Sequence, residues 1–70
     1  MAPQPHTKQV SANPSEERSR HPALTKAIAE AATEAAGTIT SPTFYRVEEI
    51  LIEVKPNPGP TSYKVTIVPV

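Results

Sequence analysis

Two clusters interleave aromatic with basic residues, Tyr45-Arg46 and, further on, Tyr63-Lys64. An aromatic face stacks on a base, and a neighbouring guanidinium or ammonium neutralises a phosphate. That interleaving is the pattern of a nucleic-acid binder. Catalytic patterns are missing. The only glycines are Gly37 and Gly59, too few for a phosphate loop, and the chain has neither aspartate nor cysteine. His6 and His21 stand fifteen positions apart, with no carboxylate spaced to join them around a metal. Glu48 and Glu49 are adjacent, so in a strand they point to opposite faces and cannot act as a carboxylate pair. The sequence reads as a non-enzyme.

Charge narrows the partners. Seven basic residues balance seven acidic ones. Lys8, Arg18 and Arg20 against Glu16 and Glu17 leave the first part at +1, and four basic against five acidic residues leave the remainder at −1. No field of either sign would draw the chain to nucleic acid or to an anionic membrane. No run approaches the ~20 apolar residues of a membrane span. The opening residues lack the charged and apolar regions of a signal peptide, so the expectation is a soluble, cytoplasmic protein.

The clusters must be positioned by a small number of elements. Residues 43–55 and 62–70 are rich in β-branched and aromatic side chains and read as two strands of an antiparallel hairpin. The intervening Pro56-Asn57-Pro58-Gly59-Pro60-Thr61 has turn chemistry, with Pro58 fixing φ at the second position of a type II turn and Gly59 accepting positive φ at the third. Alternation in the first strand breaks near Glu48 and Glu49, which points either to two partly covered faces or to a bulge there. In the second strand Tyr63, Val65 and Ile67 share one face, and Pro69 marks the strand's end or an edge.

Ahead of the hairpin, Pro22 sits well at a first helical position with His21 as N-cap, and Gly37 is placed to end the helix as a left-handed cap. Leu24, Ile28, Ala31, Ala32 and Ala35 form the apolar stripe, whose small residues allow close approach to a sheet but bury little area. Residues 1–20 combine proline with polar and charged side chains and read as a disordered tail ahead of a helix-hairpin domain over 21–70. Glu16, Glu17, Arg18 and Arg20 read there as a solvated charge cluster, the alternatives being a frayed helical turn or a docking patch for a partner. The fold class is α+β, one helix packed on an antiparallel hairpin. So small a unit, without disulfide or metal, cannot bury an adequate core alone, and the sheet is expected to be extended by oligomerisation.

The order Phe44-Tyr45-Arg46-Val47-Glu48-Glu49-Ile50, followed by Tyr63-Lys64-Val65-Thr66-Ile67, resembles the second and third strands of the dodecins, and Lys26-Ala27-Ile28-Ala29-Glu30-Ala31 resembles their helix. The resemblance covers about residues 24–68. It implies a strand, helix, strand, strand protomer that assembles into a hollow dodecamer and binds flavin. Phe44 stands where the family carries a flavin-stacking Trp, and Lys64 where it carries a flavin-contacting Gln. The family's opening strand leads directly into the helix, whereas here residues 7–10 are the nearest β-prone segment and a polar stretch follows. The expected function is a homo-oligomeric assembly of dodecin type that sequesters flavin or another small aromatic ligand through Phe44, Tyr45, Arg46 and Lys64. The alternative is an interaction module that adds an exposed strand to a partner's sheet.

Overall fold

The computed structural model describes residues 3–17, 20–57 and 59–70. Five elements follow one another: β1 (His6–Ser11), α1 (Pro14–Glu17), α2 (Pro22–Ala36), β2 (Tyr45–Val54) and β3 (Pro60–Pro69). The three strands form an antiparallel sheet in the order β1-β3-β2, with α2 packed on one face. The hairpin and helix are those expected from sequence. β1 is not.

Residues 6–11 therefore depart from the disordered tail expected there. They pair with β3 along the register His6↔Ile67, Lys8↔Val65, Val10↔Tyr63, so the ordered unit begins upstream of residue 21. Two of the three helix-side positions of β1 carry long polar side chains, which is why no apolar alternation marks it in the sequence. His6 and Lys8 bury their stems at the sheet's rim while their heads meet Glu34 on α2, at 3.9 and 3.2 Å. Thr7 and Thr66 link across the opposite face, hydroxyl to hydroxyl, at 2.9 Å.

β3 lies between two strands and supplies the core. Val65 and Ile67 are buried against Ala27, Ala31 and Ala35, with Val10, Leu24, Ile28 and Tyr45 packed around them. The fully buried ridge of α2 is Ala23-Ala27-Ala31-Ala35, which recurs every four residues. Leu24 and Ile28 flank it, and Ala32, expected in the buried stripe, is exposed. Alanine permits the close approach, so the seam runs between α2 and its own sheet.

His21 occupies the N-cap with φ 50°, and Pro22 opens the helix, as their types predict. The other end differs from expectation. Gly37 has φ −73°, right-handed, because the last turn closes through Gly37 N–H to Glu34 O at 3.2 Å and Thr38 N–H to Ala35 O at 2.9 Å, and needs no left-handed residue. The bulge does fall where the alternation breaks, between Val47 and Glu49. Gly59 has φ 123°, and Lys55 N–H closes the hairpin on Gly59 O at 2.9 Å. Pro58, the expected second turn position, lies outside the described residues.

Candidate functional site

Register and burial place the four predicted residues in different settings. Val65 and Ile67 point to α2, so Lys64, Thr66 and Val68 point away, and their cross-strand partners Leu51, Glu49 and Arg46 share that outer face. Arg46 and Lys64 are both exposed there. Phe44 precedes β2, is 86% exposed, and is tied to the end of β3 by Val70 N–H donating to Phe44 O at 3.0 Å. Lys64 lies five residues along β3 from Pro69, the partner of Tyr45, which is about 17 Å at ~3.3 Å per residue. One protomer therefore does not bring Phe44 and Lys64 together. Tyr63, counted with them in sequence as an available aromatic, is buried in the core and offers no surface for stacking.

Phe44 and Tyr45 do meet at one place. They line a cavity of about 480 Å³ with Ala32, Ala35, Ala36, Ile39, Pro42, Thr43 and Ile67, between the C-terminal end of α2 and the start of β2. The cavity exists because the helix presents only alanines here. Behind it, the Tyr45 ring lies 6.4 Å from the His6 ring at a tilt of 58°, and among the described residues the buried Tyr45 hydroxyl has no hydrogen-bond partner. His6 in turn reaches Thr38, Nε2 to Oγ1, at 3.5 Å. The Thr38 hydroxyl donates to Ala35 O at 2.8 Å, which leaves its oxygen free to accept from an imidazole protonated at Nε2.

Beside this cavity runs a half-exposed apolar strip. α2 lies over β1 and β3 and, beyond Tyr45, leaves the helix side of β2 uncovered. Val47, Ile50 and Ile52 stand there opposite Ile67, Val65 and Tyr63, yet remain 43%, 42% and 53% exposed. Leu51 on the outer face and Val54 at the strand's end are exposed as well. A 15-residue helix is about 22 Å long, while the molecule extends 44 Å, so the hairpin projects beyond what the helix can cover. Among the described residues no strand pairs with the outer edge of β2.

One polar constellation was misread in the sequence. Glu17, taken for part of a solvated cluster, is 2% exposed, and its Oε1 accepts the Ala23 N–H at 2.6 Å. It caps α2 from six residues upstream, where His21 makes no side-chain cap bond. Its other oxygen is buried without a hydrogen-bond partner among the described residues, with His21 Nδ1 at 3.9 Å. Burial first, and then the nearby Glu17 carboxylate, push the Tyr63 hydroxyl up from its ordinary pKa. The missed signal was Asn13-Pro14, a capping residue followed by a first-turn proline. Asn13 Oδ1 accepts the Ser15 N–H at 3.1 Å and so starts α1. Arg18 lies outside the described residues.

Compared with protein-family models, curated proteins and solved structures, the chain matches none. Among the described residues no helix is long and apolar enough to cross a membrane.

Proposed function

We propose that this chain is the protomer of a small homo-oligomer of dodecin type that sequesters a flavin or another small aromatic ligand. The bare strip of β2 carries the reading. Full burial of a Val, Leu or Ile contributes about 1.5–3 kcal/mol, so covering four half-exposed side chains, Val47, Ile50 and Ile52 on the helix side and Val54 at the strand's end, contributes roughly 4 kcal/mol per protomer. Two protomers then gain roughly 8 kcal/mol, comparable with the ~4–15 kcal/mol that association costs in lost freedom. A soluble monomer has little reason to expose such a strip. A strand ahead of α2 and a hairpin after it also support the dodecin resemblance, with the short α1 inserted between β1 and α2.

In this reading Phe44 stacks on the ligand, Arg46 lies on the same outer face, and Lys64 reaches the site from a neighbouring copy, since its own protomer holds it about 17 Å away. Flavin fluorescence on titration tests it. Quenching that saturates, and that weakens several-fold in Phe44→Ala, is the expected result; no quenching by the wild type and none by a Phe44→Trp, Lys64→Gln double variant would together remove flavin as the ligand. The second reading, strand addition to a different protein's sheet, is favoured by the outer edge of β2, which no strand among the described residues pairs with and which runs ten residues with no proline inside it. A chain that stays monomeric in isolation would put that reading first.

A further inference from the structure

We infer that the cavity between the C-terminal end of α2 and the start of β2 binds an uncharged, planar molecule of two or three rings, and that one protomer suffices to hold it. The inference deepens the ligand reading above and rests on it for the class of ligand. It differs in place, since a ligand stacked on the exposed Phe44 ring would lie between copies.

Size comes first. A 150 Å³ apolar cavity accepts benzene, and ordinary ligand pockets span about 300–1,000 Å³. At about 480 Å³ this one has room for a fused ring system. Its chemistry is set by Ala32, Ala35, Ala36, Ile39, Tyr45 and Ile67, and among the described residues no charged one lines it. The nearby ions are spoken for elsewhere: Glu34 meets Lys8 and His6 on the β1 side of α2. A charged group entering the cavity would shed its hydration with no counter-charge to meet it, so the part that enters is neutral. Tyr45 supplies the aromatic wall against which a flat ring packs.

The walls are fixed at both ends, which keeps the space from collapsing. Thr38 is tied back to Ala35 O through its amide at 2.9 Å and its hydroxyl at 2.8 Å, and Phe44 O is held by Val70 N–H at 3.0 Å. The segment between, which carries Ile39, spans a fixed gap. What leaves the space open is side-chain size: Ala32 and Ala36 are exposed helix positions where a larger residue would close the mouth without entering the core.

That last point makes the test. The probe is prodan, an uncharged naphthalene fluorophore that brightens in apolar surroundings, titrated into the full chain. Expected is saturation near one probe per protomer. The Ala32→Leu, Ala36→Leu variant should keep the circular dichroism and native mass of the wild type and bind at least tenfold more weakly. Because leucine is a good helix former at exposed positions, the variant should fold; the single Ala36→Leu change should give an intermediate loss. No saturable binding, undiminished binding by the filled variant, or a filled variant that changes native mass would overturn the inference, the last because the cavity would then be a contact between copies. A monomeric chain that still binds prodan in this filling-sensitive way would sink the assembly and leave the cavity site standing. An assembled chain whose flavin quenching depends on Phe44 while prodan ignores the filling would do the reverse.

Discussion

Removing the carboxylate of Glu17 should destabilise the protein far more than its place in a charged stretch suggests. The side chain is buried and accepts the Ala23 N–H at 2.6 Å, the capping bond that His21 does not make. A hydrogen bond to a charged group contributes about 1.5–3 kcal/mol against about 0.5–1.5 for a neutral one. In Glu17→Gln the amide oxygen can still accept, so the expected loss is roughly 1 kcal/mol, with a few tenths more for removing an anion from a helix N-terminus. In Glu17→Ala the bond goes entirely, the Ala23 N–H is left unpaired at ~1–3 kcal/mol, and a void opens, for a total near 3–4 kcal/mol. A 70-residue chain has only about 3.5–10 kcal/mol of stability to lose, so the alanine variant should sit close to its folding threshold. Urea unfolding at one fixed protein concentration, followed by circular dichroism, measures all three proteins. An alanine variant within 0.5 kcal/mol of the wild type, on the order of a surface substitution, would refute the capping role.

Deleting residues 1–12 should unfold the chain, since it strips β1 from the central strand and Val10 from the core; an unchanged amide spectrum of the remainder would show that β1 contributes nothing. Tyr63 gives a pH dependence with a definite sign. Its pKa is raised by burial and then by Glu17, so the fold favours the neutral phenol; the corresponding stability is fully present below about pH 10 and is lost as pH rises through the raised value. Tyr63→Phe should therefore flatten the alkaline limb of the stability curve, and an identical limb in both proteins would count against the assignment.

The elements most legible in the sequence were those whose side chains sort by polarity. Tyr63, Val65 and Ile67 alternate cleanly and form the buried face of β3, and the broken alternation at Glu48 is the bulge itself. Pro22 marked the helix start because ring geometry and helix geometry coincide there. β1 stayed hidden because His6 and Lys8 reach past the sheet's rim to Glu34, so a strand with an inner face carries almost no apolar signature. Gly37 was assigned a left-handed cap that the tightened last turn makes unnecessary. Phe44 stands out through the dodecin resemblance and Tyr45 as an aromatic beside a basic residue, and the two line one cavity. Arg46 and Lys64, the basic residues beside those aromatics, stand on the outer face. The cavity itself is a consequence of three small residues facing a connection, and absence of bulk has no motif. Glu17 was misread because its partner is a backbone N–H, which sequence does not display.

Assembly through β2 is the central claim, and sedimentation equilibrium of the full chain across micromolar concentrations addresses it most directly. The account predicts a species at a multiple of 7.5 kDa, shifted toward the single-chain mass in an Ile50→Lys, Ile52→Lys variant that keeps its circular dichroism, because both changes fall on the half-exposed strip beside the helix. A folded wild-type chain that remains at 7.5 kDa throughout the range would contradict it.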